Sequence, residues 1–414
     1  MKINNYHNYN LTTLFQPYFI LLFCIMHILY ILDFYKPNLG WVEVLLDEII
    51  NHFWKNNQVS VLTWNFNWEL PEIEKKGNIT IHRVRAKNLF GYVLQWIKKW
   101  KSLTKNVDII HANTFFSWII GSYLSKKYKI KSVLHIHGFF GNYRNSLVEW
   151  NYFIKKLKVL KFKILEYLNI HWNFNKYICI SRFVQDVVKV YYWVSRDKIE
   201  LVYNWMDYEK WQNLIDTKQV EEIKQKYNLN KCFSLLFFWR IEKMKGLGFF
   251  LESLSTLQIK DLKVILIIHW DFQKFEEKIQ QLKWTNIKHT NWIISAFNFE
   301  NIQIEIIPWV AHETLANYIK AVSAVVLPSS MEPFGLAGLE TCILWTPIIA
   351  SNSWAIEEVV FWKVNFFEYW NKKDLQKAIL NNYNWIFQEI PKKDFNLNKM
   401  FNSLEKIYKE LINK

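Results

Sequence analysis

Glycine is scarce in this chain. Only 10 of its 414 residues are glycine, against 22 tryptophans, whereas glycine makes up roughly 7% of an ordinary protein. Cysteine is scarcer still: Cys24, Cys179, Cys232 and Cys342 lie far apart, with no C-x-x-C pair. That spacing excludes a disulfide framework and a cysteine-based zinc site, and it suits a reducing cytoplasm. The sequence also lacks internal repeats, low-complexity tracts and clusters with metal-ligand spacing, so no metal site is read from it. A hydrophobic share of 51% with 21% charged residues excludes a disordered chain, and the length favours two domains. Acidic residues are outnumbered, 37 against 52 basic ones, giving a net charge of +15. Such a field attracts polyanions: nucleic acid, anionic lipid or a phosphorylated substrate. No basic nucleic-acid motif accompanies it, so nucleic acid is not expected as a partner.

The tryptophans fall where glycine belongs. Asn67-Trp68, Asn204-Trp205, Asn291-Trp292 and Asn384-Trp385 would each be the Asn-Gly turn dipeptide if the second residue were glycine. The two counts together restore about the ordinary glycine share, roughly 7%. The pattern points to UGA codons that mean glycine but are written as tryptophan. A genuinely tryptophan-rich protein is the alternative.

Residues 18–32 form an apolar run long enough to raise the question of a signal anchor. Its second half, together with Pro37-Asn38-Leu39-Gly40, reads instead as a buried first strand and a turn, and a strand cannot also span a bilayer. Translation from Met26, with residues 1–25 an upstream extension, fits that reading; a true anchor is the alternative. Further along, short apolar runs alternate with amphipathic segments, the pattern of parallel βα units. Strands are expected over 28–32, 59–63, 79–83, 108–111, 132–137 and 176–180, then over 233–238, 263–269, 302–307, 324–327 and 347–350. Helices are expected over 42–54, 91–101, 114–127 and 148–168, then over 248–256, 273–282, 312–321 and 338–344. A polar, helix-prone stretch, 207–230, separates the halves. Two doubly wound domains facing across a cleft follow, with ligand at the strand C-termini. Residues 152–165 carry five lysines and no acid. On a helix, Phe153, Leu157, Leu160 and Ile164 make one stripe among them. That stripe suits an anionic membrane surface, or equally a helix packed on its own sheet with solvated lysines.

The densest group of site-like residues runs from Leu327 through Pro328, Glu332, Phe334, Gly335 and Leu336 to Glu340. It reads as a strand end, a Ser/Pro/Gly turn and a helix start, whose unpaired N–H groups favour phosphate. Glu332 precedes that turn and Glu340 lies two helical turns inside. Carboxylates beside an anion site make sense if they hold sugar or ribose hydroxyls; two solvated glutamates are the plain alternative. Upstream, the run Leu235 to Gly246 again ends a strand in a turn, now with fixed positive charge. Arg240 and Lys245 would neutralise a departing diphosphate, unless they are ordinary surface charge.

These residues resemble the family 4, or group 1, glycosyltransferases. The family pattern is similar to G-R-x-x-x-x-K-G followed by P-S-x-x-E-x-F-G-L-x-x-x-E-x-x-x-x-G-x-P, and the chain departs from it only where Trp239 and Trp345 replace glycine. The junction Asn204-Trp205-Met206-Asp207, the loop Ser351-Asn352-Ser353-Trp354 and the N-terminal loop Gly40-Trp41-Val42-Glu43 resemble family glycine loops in the same way. The resemblance runs from about residue 26 to the end. It implies the GT-B fold: an acceptor-side Rossmann-like domain over 26–205, a donor domain over 206–395, and a last helix over 396–414 crossing back. It implies a retaining, metal-independent hexosyltransferase with no cofactor. The donor would be a UDP- or GDP-sugar and the acceptor a glycan or a lipid-linked species. By the same resemblance Arg240 and Lys245 bind the donor diphosphate and Glu332 the sugar. Phe334, Gly335 and Leu336 offer backbone N–H groups, and Glu340 holds the ribose. His137 lies near the transferred sugar, with His135 the competing histidine, while Gly40 and Trp41 line the acceptor side. Glycan or cell-envelope polysaccharide synthesis at the cytoplasmic face of a membrane is the expected setting. A catalytically inert nucleotide-sugar binder and a nucleotide-sugar epimerase on the same fold are the alternatives.

Overall fold

The computed structural model describes residues 26–36, 41–65, 69–99, 106–113, 115–139, 152–171, 174–240, 242–269, 285–290, 293–299 and 302–413. The expected helix over 273–282, Gly40 and residues 1–25 lie outside the described residues.

Two separate sheets account for the described chain. The first contains β1 (His27–Ile31), β2 (Gln58–Asn65), β3 (Ile73–Lys76), β4 (Ile79–Arg85), β5 (Ile109–Ala112), β6 (Lys131–Ile136), β7 (Lys176–Cys179) and β8 (Ile199–Leu201), in the order β3-β4-β2-β1-β5-β6-β7-β8. All its pairings are parallel except β3 with β4. Its helices are α1 (Trp41–Phe53), α2 (Leu89–Lys99), α3 (Phe115–Tyr128), α4 (Tyr152–His171) and α5 (Arg182–Asp186). The central strand β1, HILYI, is buried at every position. That is why it reads as a continuous apolar run rather than an alternating one, and why residues 27–31 are a sheet centre and not a membrane span. No described helix is long and apolar enough to cross a membrane.

A linker of α6 (Tyr208–Gln212) and α7 (Thr217–Lys226) leads to the second sheet. It holds β9 (Phe233–Arg240), β10 (Leu262–His269), β11 (Thr285–Thr290), β12 (Ile293–Phe299), β13 (Ile302–Pro308), β14 (Ala324–Leu327), β15 (Ile348–Ser351), β16 (Trp362–Phe367) and β17 (Gln388–Ile390). The order is β11-β12-β13-β10-β9-β14-β15-β16-β17, parallel from β13 to β16 and antiparallel at both edges. Its helices are α8 (Leu247–Leu254), α9 (His312–Ala321), α10 (Leu336–Ile343), α11 (Ile356–Val359) and α12 (Lys372–Tyr383). The last helix, α13 (Leu397–Ile412), leaves this sheet. Its Met400, Phe401, Leu404, Ile407, Tyr408 and Leu411 join the core formed by β1, β2 and α1 of the first.

Each sheet changes winding direction once, between β1 and β5 in the first and between β9 and β14 in the second. Ligand crevices of open α/β sheets form at such switch points, outside the carboxyl ends of the strands. The loops carrying the sequence motifs leave β6, β9 and β14 at those ends.

The backbone explains where the tryptophans stand. Ten described non-glycine residues have positive φ, and six are tryptophan: Trp193, Trp345, Trp354, Trp362, Trp370 and Trp385. Two close helices in full Schellman geometry. After α10, Trp345 N–H donates to the Cys342 carbonyl and Thr346 N–H to that of Thr341; after α12, Trp385 and Ile386 donate to Asn382 and Asn381. The left-handed residue of that motif is ordinarily glycine, because a Cβ there crowds the carbonyl. An L side chain in this region costs roughly 1–2 kcal/mol, so six of them cost about as much as the net stability of a domain, ~5–15 kcal/mol. The tryptophans at the family glycine positions are not all found at the inter-sheet cleft. Trp345 sits at a helix end against Phe361 and Trp362, Trp205 packs on the first core, and the side chain of Trp41 lies outside the described residues.

Trp385 is 64% exposed, so removing its ring sacrifices little burial while relieving the backbone. Trp385→Gly should therefore raise unfolding stability by roughly 0.5–1 kcal/mol, read as the urea midpoint at unchanged slope. A fall in the midpoint would contradict the account of left-handed strain.

Candidate functional site

The loop after β9 and the loop after β14 come from adjacent strands and pack backbone on backbone. Gly246 has φ +73, and a Cβ on it would lie 1.9 Å from the Pro328 carbonyl oxygen, so no other residue fits. Ser330 N–H donates to the Met244 carbonyl at 2.8 Å, fixing the second point of contact. This docking carries Lys245 to Glu332: its Nζ lies 2.6 Å from the carboxylate Oε1, with both side chains largely buried. Gly335, at φ +94, then turns the chain into α10; Gly338 N–H donates back to the Gly335 carbonyl, and the N–H groups of Leu336 and Ala337 have no intrahelical acceptor.

A cavity of about 320 Å³ opens beside this pair. Lys245, Glu332, Phe334, Gly335 and Leu336 line it from the second sheet, and His137, Val42, Leu45, Ile180 and Asn204 face them from the first. The structure thus brings together five of the expected donor-side residues and the expected histidine. Glu340 is fully buried on α10 beneath the cavity wall and does not line it. Burial holds its carboxyl well above the usual range, and its Oε1 has no partner among the described residues. Arg240 ends β9, but its side chain, like that of Trp41, lies outside the described residues.

His137 follows β6. Burial pushes its pKa down to about 3, so the ring is neutral at physiological pH. Neither ring nitrogen has a partner among the described residues. His135, its competitor, is fully buried within the sheet and does not reach the cavity.

The two halves touch around the cavity. Ser181 donates to the Pro333 carbonyl at 2.7 Å, and the Arg182 and Phe183 N–H groups of α5 donate to Glu358 at 2.9 and 3.0 Å. Trp354 stacks on Phe183 at 4.5 Å between ring centroids, and Gly138 leaves just enough room for Pro333. Sequence reasoning missed Ile180, Asn204 and Trp309 as lining residues. Trp309 offered a signal, a tryptophan directly after a strand end; Ile180 offered none. Trp239 is 7% exposed, lines the cavity and stacks on Phe238, so its indole occupies space where a backbone alone would leave the floor open.

Residues 42–210 match the model of the family described as Glycosyltransferase Family 4, and residues 219–382 that of Glycosyl transferases group 1. An uncharacterised glycosyltransferase of Methanocaldococcus jannaschii is 22% identical over 395 residues, covering 91% of this chain and 96% of that protein. The alpha-monoglucosyldiacylglycerol synthase of Streptococcus pneumoniae is 26% identical over 282 residues, 66% of this chain and 58% of that one. In structure, HepE of Anabaena, solved in complex with UDP and glucose, superposes with a TM-score of 0.63 at 15% identity, over 93% of this chain and 100% of that one. The fold is GT-B.

Proposed function

This chain belongs to the group 1 glycosyltransferases, and we propose that it moves a hexose from a UDP- or GDP-sugar onto a glycan or lipid-linked acceptor, with retention and without a required metal. The observation that carries the reading is the Lys245–Glu332 pair in a cavity lined from both sheets. An arriving diphosphate draws Lys245 away from Glu332 and frees that carboxylate for sugar hydroxyls. Arg240 and Lys245, with the first-turn N–H groups at Leu336, then face the charge that develops on the leaving diphosphate. The bond from the anomeric carbon to the diphosphate breaks with its electron pair going to oxygen. The acceptor hydroxyl bonds the same face of that carbon, and its proton passes to the departing phosphate. Glu340, buried behind the cavity wall with an unpartnered Oε1, holds the ribose once the arriving donor opens that wall, and neutral His137 offers hydrogen bonding to the sugar without a competing charge. Gly40 and Trp41 stand on the acceptor side. UDP in the HepE complex supports the donor class. Residues 26–205 form the acceptor half and 206–395 the donor half, with 396–414 crossing back.

With glycine restored at the tryptophans that replace it, the purified protein should hydrolyse UDP-glucose or GDP-mannose, or transfer the sugar, slowly in EDTA. Arg240→Ala should lower turnover roughly 100-fold with little change in donor KM. Glu340→Ala should mainly raise donor KM, by roughly tenfold. Activity abolished by EDTA and restored by Mn²⁺ would overturn the metal-free mechanism, and an epimerised donor without transfer would identify an epimerase.

We infer further that the acceptor is met at a membrane surface, at the cytoplasmic face. On α4, Leu160, Ile164, Tyr167 and Leu168 form an exposed stripe, with Lys161 exposed and Lys163 part-exposed beside it. Exposed Val190, Tyr191 and Lys189 extend it, linked through the Tyr167–Tyr192 ring contact. The product in the name of the pneumococcal relative, a monoglucosyldiacylglycerol, is a sugar on a lipid and supports the same acceptor class. The protein should sediment with phosphatidylglycerol vesicles and not with phosphatidylcholine vesicles, and Ile164→Glu should abolish this; equal binding to both would remove the proposal.

The inert reading has one observation in its favour, the Trp239 ring in the cavity. We propose instead that Trp239 and the six left-handed tryptophans are glycines encoded by UGA. The gene should carry UGA at these positions, and peptide masses of the native protein should show glycine. UGG codons there would leave a truly tryptophan-lined, inert cleft.

A further inference from the structure

A chain of buried polar side chains leads away from His137 to the last helix. The Tyr408 hydroxyl bonds His111 Nδ1, His111 Nε2 lies 3.3 Å from His135 Nδ1, and the His135 ring lies against that of His137 with centroids 4.1 Å apart. Behind Tyr408, the Tyr30 hydroxyl is 3.3 Å away. Tyr30, Tyr408, His111 and His135 are all fully buried. Nothing in the reaction described above uses these four groups.

We propose that Tyr408, His111 and His135 are positioning residues: the first two lock the tautomer of His135, and its ring fixes the tilt of the His137 ring. A neutral imidazole has one donor and one acceptor nitrogen. His111 uses both, so its two bonds cannot be set independently. With Tyr408 donating to His111 Nδ1, His111 carries its proton on Nε2 and donates to His135 Nδ1. His135 then holds its own proton on Nε2, an atom without a hydrogen-bond partner among the described residues. Reversing the Tyr408 hydroxyl reverses every proton in the chain. Burial keeps all three imidazoles neutral, which preserves this alternation. His137 ends the series in the cavity with both nitrogens unpartnered, so the ring of His135 is what holds it. Residues from β5, β6 and α13 thereby set the geometry of one side chain in the cleft. A group misplaced by about 1 Å costs roughly 100-fold in rate, so a hydroxyl remote from the substrate suffices to govern turnover.

The proposal rests on His137 facing the transferred sugar, and its test separates the two. Tyr408→Phe keeps the ring in its core and deletes the hydroxyl. In the full-length enzyme carrying ¹⁵N-histidine, the ring-nitrogen shifts should show one fixed tautomer each for His111 and His135, and a mixed or reversed one in the variant. Turnover of UDP-glucose should fall roughly 10- to 100-fold while donor KM stays within about twofold. A folded variant with unchanged ring shifts overturns the relay, and so does unchanged turnover when His137→Ala is inactive. If Tyr408→Phe does not fold, His135→Asn retains an acceptor for His111 and removes the ring beside His137. It should shift the His137 ring nitrogens and lower turnover, and wild-type values for both would again overturn the relay. An active His137→Ala would sink the reading of the cleft alone, because the shifts report the relay whether or not His137 is needed.

Discussion

The contact of Gly246 with the Pro328 carbonyl is the constraint on which the cleft is built. Two crossover loops leave neighbouring strands, and only a residue without Cβ lets one lie flat on the other. Everything charged in the cavity follows from that approach. Lys245 and Glu332 arrive on opposite loops within an ion-pair distance, partly buried, where the pairing is stronger than at an open surface. A pair held this way is stable while the cavity is empty and exchangeable when a better anion arrives. The same loops place the turn at Gly335, so the helix dipole of α10 points into the space the pair borders.

Parallel strands were legible because burial on both faces leaves uninterrupted apolar runs: ILYIL, LLFF, VILII. The strands that escaped, β3, β8, β11, β12, β16 and β17, are mostly short or lie at or toward a sheet edge. β3 reads Ile-Glu-Lys-Lys and is exposed along its length, so neither alternation nor an apolar run marks it. The stretch 207–230, expected as polar and helix-prone, resolves into two helices, each started by an aspartate that caps it: Asp207 and Asp216.

For the site, Lys245, Glu332, Gly335 and His137 were legible because each belongs to a motif whose spacing has a physical reason. Ser181 and Glu358 were not. Their partners are a carbonyl and two N–H groups across the cleft, and nothing in a linear sequence pairs a carboxylate with a backbone so far away. The buried histidines fall between these cases: the residue types announced themselves, but Tyr408 is 297 positions from His111. The tryptophans were legible as misplaced glycines from Asn-Trp dipeptides alone at Trp385. Trp193, Trp362 and Trp370 needed the backbone angles, since φ leaves no mark in composition.

The crossing of α13 has a consequence for how the molecule is made. Its six apolar side chains complete the core against β1, β2 and α1, yet they are synthesised after the whole second sheet. The first half emerges from the ribosome with an open groove along that core and cannot close it from its own residues. That part of the first core stays open through the translation of roughly a full domain length, whereas the buried cluster around the second sheet contains no α13 side chain. A chain read from its N-terminus is thus sealed from its C-terminus.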